Sequence, residues 1–312
     1  MSLLLFVLFA VSAAAQSPAE QSNALPEAWV RLSQLAQARI ESDDLKQAES
    51  YRRQALALAE ESTAKDDIRL APLLTNLALT LHLEARDAEA DPLLRRALMI
   101  TEDAGDRLQT ASVLNALGII LHGEGEVARA EPVLRRSLAL LQETCGQDSL
   151  AAGKAANNLA VLYIETGQYA PAEQQMRNAL GIYEKHLDAN SPELAVALGN
   201  MFLVLLAQHR ISEAEPYLSR AIAIGQVSFP GSIRMATLEE RMAELEGHRG
   251  NLKEAARLLE GVIKTEERLL GPDHPKLAKT LSNYSNILSL LHQKTEAKRV
   301  KNRADMILKS YH

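Results

Sequence analysis

Two histidines 40 residues apart, His82 and His122, and a single cysteine, Cys145, are the residues of this 312-residue chain whose chemistry comes first to notice. Imidazoles at neighbouring levels of a fold can share a metal or respond to pH, but a metal site needs a third ligand and the spacing supplies none. Isolated polar residues are the simpler account of both. One thiol beside Gly146, with no evident histidine partner, is inert in most proteins. It also excludes an intramolecular disulfide framework and any cysteine-based structural zinc site. The sequence contains no Gly-x-Ser-x-Gly elbow, no Gly-x-x-x-x-Gly-Lys loop, no His-Glu-x-x-His pair and no Cys-x-x-Cys. Gly123-Glu124-Gly125 follows no strand, so it is not a dinucleotide fingerprint. Enzyme is therefore the weakest class, and no metal or cofactor is implied.

Composition sets the frame that positions these side chains. The chain is 47% hydrophobic and 4% aromatic, with 34 basic and 40 acidic residues for a net charge of −6. That apolar content, with only 15 Gly and 11 Pro, excludes disorder and a collagen-like chain.

The first fifteen residues differ from the rest. Leu3 to Val11 is an unbroken apolar run, followed by Ser12-Ala13-Ala14-Ala15 and then polar Gln16-Ser17-Pro18. This reads as a signal peptide, residues 1–15, with cleavage after Ala15 and a short linker over residues 16–27. The run is shorter than the ~20 residues needed to span a bilayer, so stable membrane insertion is not expected. Its n-region holds only Met1 and Ser2. The expectation is an exported protein, periplasmic or extracellular; a misread start and a cytoplasmic chain are the alternative.

After the leader the chain repeats. Alanines recur at Ala48, Ala90, Ala130, Ala172, Ala214, Ala255 and Ala297, at spacings of 42, 40, 42, 42, 41 and 42. Twelve residues before most of them a small residue follows an apolar one, as in Leu35-Ala36, Leu77-Ala78, Leu117-Gly118, Leu159-Ala160 and Met242-Ala243. Seven after them a third small residue recurs, as Ala55, Ala97, Ser137, Ala179, Ala221 and Ala304. A fixed period of this length means stacked units, none able to bury its apolar face alone. The units run roughly over residues 28–69, 70–109, 110–151, 152–193, 194–234, 235–276 and 277–309, one repeat domain in all.

Each unit reads as two helices. In the fourth, Ala156, Leu159, Ala160 and Tyr163 fall on one helical face, Gly167-Gln168 breaks the run, and Ala172, Met176, Ala179 and Leu180 resume it. Breakers recur as Asp43-Asp44, Arg86-Asp87, Gly125-Glu126 and Gly250-Asn251. Pro92, Pro132 and Pro216 are expected in first turns, where the amide has no intrahelical acceptor. Asn190-Ser191-Pro192 and Asp273-His274-Pro275 read as capped helix starts. Small residues are expected where paired helices cross closely. Phe202 fills such a slot in the fifth unit, which predicts a local distortion or a compensating gap.

The pattern Leu/Met-Ala/Gly-x-x-Leu/Tyr, eight residues, then Ala-x-x-x-Leu/Met-x-x-Ala/Ser-Leu, clearest at Leu77–Leu98, Leu117–Leu138 and Leu159–Leu180, is similar to the tetratricopeptide signature. The period, the wording of Glu131–Leu138 and Leu270-Gly271-Pro272-Asp273-His274-Pro275 resemble the kinesin-light-chain subtype. The resemblance covers roughly Trp29 to Leu308. Armadillo and HEAT repeats share the period without these small residues. The first, sixth and seventh units depart from the pattern at Arg39, Arg52, Glu246, Ser285 and Lys301. The resemblance implies an all-α, right-handed superhelical solenoid of about seven helix-turn-helix repeats, whose first helices line a concave wall that grips peptides.

Carried across repeat by repeat, the groove-facing positions are Leu79 and His82, then Asn115, Ile119 and His122, then Asn157, Val161 and Ile164, then Leu203 and Leu206. Asparagine amides can bond the main chain of an extended ligand. The same stripe would serve equally as second-tier core. Only Lys154 and Lys279 stand where basic groove residues would hold acidic C-termini, so acidic tails are expected to bind poorly. A non-catalytic scaffold for a protein or peptide partner is the reading. Self-association through the apolar stripe is the runner-up.

Lys294 to Lys309 carries Lys294, Lys298, Arg299, Lys301, Arg303 and Lys309 against Glu296 and Asp305. Docking to an anionic surface is a weaker alternative to a solvated capping helix. The overall acidity argues against nucleic acid. Asn283-Tyr284-Ser285 is a formal glycosylation sequon, but its place recurs as Asn76, Asn158 and Asn200, which points to hydrogen bonds between repeats.

Overall fold

A computed structural model of the chain describes residues 27–310; the expected leader, its cleavage point and residues 16–26 of the expected linker lie outside that range. Among the described residues there are fourteen α-helices and no strand. They are α1 (Glu27–Glu41), α2 (Leu45–Ser62), α3 (Leu70–Leu83), α4 (Asp87–Asp103), α5 (Arg107–Gly123), α6 (Val127–Cys145) and α7 (Leu150–Glu165), followed by α8 (Tyr169–His186), α9 (Pro192–Ala207), α10 (Ile211–Ser228), α11 (Ile233–His248), α12 (Leu252–Leu270), α13 (Pro275–Leu290) and α14 (Lys294–Ser310). They fall into two compact units, residues 27–162 and 163–310.

In the first unit α1 pairs with α2, α3 with α4 and α5 with α6, and α3 also touches α5. In the second, α9 pairs with α10, α11 with α12 and α13 with α14, and α9 also touches α11. All seven recurring alanines are buried. At Gly118 an added Cβ would lie 2.5 Å from both Leu134 Cγ and Cδ2, so α5 and α6 cross there with no room for a side chain. The small-residue pattern is thus a record of helix crossings.

The turn inside each hairpin has one geometry. Asp43, Ala85, Gly125, Gly167, His209, Gly250 and His292, each five residues before its alanine, adopt positive φ between 58° and 80°. The amide after each donates to the carbonyl five residues back, as Arg86 N to Leu81 O at 2.9 Å and Gln168 N to Tyr163 O at 2.8 Å. That is the left-handed helix stop with its six-to-one bond. Glycine fits it without strain. Ala85, His209 and His292 hold it because the flanking helices are packed against each other, so the turn recurs where its sequence signal fades.

Two expectations need correction. Pro92, Pro132 and Pro216 stand at the sixth residue of α4, α6 and α10, not in the first turn. Each forfeits a bond to the carbonyl of Ala88, Ala128 or Ser212, all exposed residues whose carbonyls water can satisfy. Phe202 causes no break: α9 runs through it and the ring is fully buried. Arg52, which departs from the apolar pattern, is buried and donates to the Asn76 carbonyl and to Thr80 Oγ1 on α3. Burial lowers its pKa to about 10.

The proline-capped starts hold as read. Ser191 Oγ accepts from Leu194 N at 3.2 Å, and His274 Nδ1 accepts from Lys276 N at 3.2 Å, with Pro192 and Pro275 in the first turn.

Candidate functional site

Of the ten residues assigned to a ligand-facing stripe, seven are closed into the helix layers. Leu79, Asn115, Ile119, His122, Asn157, Val161 and Leu206 are buried. Only His82 in the first unit, and Ile164 and Leu203 in the second, are half-buried. The two asparagines meant for a ligand are committed inside the protein. Asn158 Nδ2 donates to Asn115 Oδ1 at 3.1 Å, and Asn157 Nδ2 donates to Asn158 Oδ1 at 3.2 Å. First helices packed this tightly leave their centre line to core packing and present only edges.

His82 Nδ1 lies 2.6 Å from Asp87 Oδ1, and no group of three His, Cys, Asp or Glu among the described residues is placed to hold a metal. Gly123 makes room for that contact, because a Cβ there would lie 2.4 Å from Asp87 Oδ2. Cys145 is exposed and sits beside Thr144 Oγ1. On α14, Arg299 pairs with Glu296, Lys301 with Asp305 and Arg303 with Glu267, so much of its basic charge is met locally. No helix among the described residues is long and apolar enough to cross a membrane.

The expected bonds between repeats are present, and one departs from type. Asn158 reaches Asn115 in the first unit; in the second, Asn283 Nδ2 reaches Glu240 Oε1 at 2.9 Å. Asn200 Oδ1, by contrast, accepts from Arg241 Nη2 at 2.9 Å. Arg241 stands two residues before Ala243, the place that Asn76, Asn158, Asn200 and Asn283 hold in their own units. An arginine in this recurring asparagine position is the sequence signal of a polar centre in the second unit.

Around Arg241 the interior is charged. Glu240 is buried on the same helix, α11. Lys276 Nζ on α13 lies 3.1 Å from Glu266 Oε1 on α12 and 4.0 Å from Glu240 Oε2. Lys279 Nζ approaches Glu240 Oε1 at 3.9 Å. Burial pushes the Glu266 carboxyl up, against the pull of Lys276. Burial lowers the Arg241 pKa to about 10, so the guanidinium remains charged at neutral pH. The guanidinium packs directly on Gly199, whose hypothetical Cβ would lie 2.2 Å from Arg241 Nη1.

The Rap conjugation gene regulator of plasmid pLS20, solved in complex with the Phr* peptide, is 15% identical with a TM-score of 0.71, over 96% of this chain and 78% of that one. A Rap protein complexed with Competence and Sporulation Factor is 14% identical with a TM-score of 0.72, over 90% of this chain and 75% of that one. BtubC (BKLC) from P. vanneervenii is 20% identical with a TM-score of 0.53, over 74% and 91%. At these identities the likeness is one of fold: an all-α tetratricopeptide-like solenoid. None of the curated proteins matches the chain in sequence. The family described as the MalT-like TPR region matches residues 36–303, and with most of its length accounted for in this way the chain belongs to that family of tetratricopeptide repeat proteins.

Proposed function

We propose that the protein is a non-catalytic scaffold that docks a protein or peptide segment on the edges of its first helices. The observation that carries this reading is the kinship of fold with a Rap regulator solved with a peptide in place. Half-buried His82 in the first unit, and Ile164 and Leu203 in the second, remain available for contact, each on a helix whose inner face is buried within its own unit. Rigid edges lower the ordering cost of binding an extended segment. Screening a peptide array against the full chain and against the variant His82→Glu, Ile164→Glu, Leu203→Glu tests it. Selective loss of bound peptides in the folded variant is expected, and an unchanged binding profile would overturn the reading.

A second reading, self-association, is favoured by the exposed apolar side chains of Leu290 and Met306 near the C-terminus. Light scattering at two concentrations separates the two, since the scaffold reading requires a monomer with free edges.

Export belongs to the same proposal. Cleavage after Ala15 predicts an exported form that begins at Gln16, and N-terminal sequencing that finds Met1 intact would reject it.

A further inference from the structure

We infer that Glu266, buried against Lys276 at the seam between α12 and α13, is a pH-dependent latch that holds the last hairpin, α13–α14, more firmly in mild acid than at neutral pH. Eleven residues after the recurring alanines stand Ala59, Thr101, Leu141, Tyr183 and Gly225, all buried and none charged. Glu266 takes that place in the sixth repeat and is fully buried. Repeat packing therefore does not call for a carboxylate there, and a buried ion pair adds little stability over a neutral residue that fills the same space.

The seam itself leans on polar contacts. The last hairpin has a core of its own, with Leu277, Leu281, Val300 and Ile307, and partly buried Tyr284 and Ile287 reach the separate cluster of Ala243, Ala255 and Leu259. Lys276 Nζ stands between Glu266 Oε1 at 3.1 Å and Glu240 Oε2 at 4.0 Å. Asn283 donates to Glu240, Tyr284 Oη donates to Glu260 Oε1, and on α14 Arg303 pairs with Glu267. Neither oxygen of Glu266 accepts a well-formed hydrogen bond, so one ammonium stands in for the water its charge has lost.

The groups around Glu266 decide which charge state favours the closed seam. From α11, Glu240 opposes its ionisation, with Arg241 and Glu244 acting on Glu240 along the same helix. From α13, Lys276 favours ionisation, Thr280 faces the carboxyl, and Lys279 Nζ lies 3.9 Å from Glu240 Oε1. Burial is the largest influence and outweighs Lys276, so the folded protein binds this proton more tightly than the unfolded chain. Lys276 still has Glu240 when Glu266 is neutral. The contribution of Glu266 to the seam is thus complete below the ordinary carboxyl value and is lost as pH rises through the folded one.

Hydrogen exchange of the full chain tests this, read by mass spectrometry on α13 peptides and corrected for the intrinsic pH dependence of exchange. The protection of α13 in Glu266→Gln relative to wild type is expected to grow about threefold or more between about pH 5.5 and about pH 7.5, the variant being the better protected at neutral pH. His274, whose Nδ1 caps Lys276 N and is lost as an acceptor on protonation, is present in both proteins and cancels. Lys276→Met should steepen the loss of protection toward neutral pH, because the carboxylate then has no counter-charge at the seam. A relative protection that is constant with pH or falls, or an unchanged pH dependence in Lys276→Met, would overturn the proposal. Should the variants not fold, the carboxyl carbon resonance of Glu266 in the wild type decides: a midpoint above the ordinary glutamate value of about 4.3 supports the latch, and one at or below it overturns it.

Discussion

Asn158 on α7 donates its side-chain amide to Asn115 Oδ1 on α5 across 3.1 Å of fully buried interior, so two repeats of the first unit are joined by a bond between like side chains. Removing the acceptor would leave a buried amide with one partner fewer. Asn115→Ala should lower unfolding stability by about 1–3 kcal/mol in a denaturant titration. An unchanged midpoint would show that this bond adds nothing to stability.

Leu134 rests on the bare α carbon of Gly118. Gly118→Val should therefore destabilise by about 1–3 kcal/mol through overpacking. Shortening the opposing side chain in the double variant Gly118→Val, Leu134→Ala should recover part of the loss. Strict additivity of the two changes in chemical denaturation would contradict the proposed contact.

Ala85 holds a left-handed conformation at φ 59°, where the equivalent residues Gly125 and Gly167 hold it at 80° and 73°. Ala85→Gly should stabilise the α3–α4 hairpin by up to about 1 kcal/mol, and Gly125→Ala should destabilise α5–α6 by a similar amount. Thermal melts that move both variants in the same direction would refute the assignment.

Tyr183 is fully buried and its hydroxyl has no hydrogen-bond partner. Burial holds its pKa well above the ordinary tyrosine range. Tyr183→Phe should raise stability by about 1 kcal/mol, since it deletes an unsatisfied polar atom with little change of volume. A clear loss of stability would indicate that water or a ligand serves that hydroxyl.

Glu124 lies beside Asp91, Glu126 and Asp87, and partial burial, followed by those three charges, raises its pKa. The folded protein thus binds this proton more tightly than the unfolded chain. Its contribution to stability is complete at acid pH and is lost as pH rises through the folded value. Glu124→Gln should be more stable than wild type at neutral pH, with the gap closing near the ordinary carboxyl pKa of about 4. Parallel stability curves across that range would show that the cluster is not coupled.

Much of the architecture was legible in the sequence because period and residue size are local properties. The seven alanines, the paired helical faces and the caps at Ser191 and His274 all follow from spacing, and each needs only its neighbours along the chain to be recognised. Asn283 was read as a link between repeats for the same reason: its place recurs. Exposure could not be read that way. Asn115 and Asn157 have the chemistry of ligand contacts, and only the packing of α3, α5 and α7 turns them inward. Ala85, His209 and His292 carry no turn signal, yet adopt the turn because the helices on either side are packed together. Gly199 and Arg241 are 42 residues apart and meet only through the contact of α9 with α11. The sequence by itself determined the repeat and its helices, because those depend on short-range periodicity. Tertiary structure decided which polar groups are enclosed, because burial depends on what a neighbouring repeat places against each face.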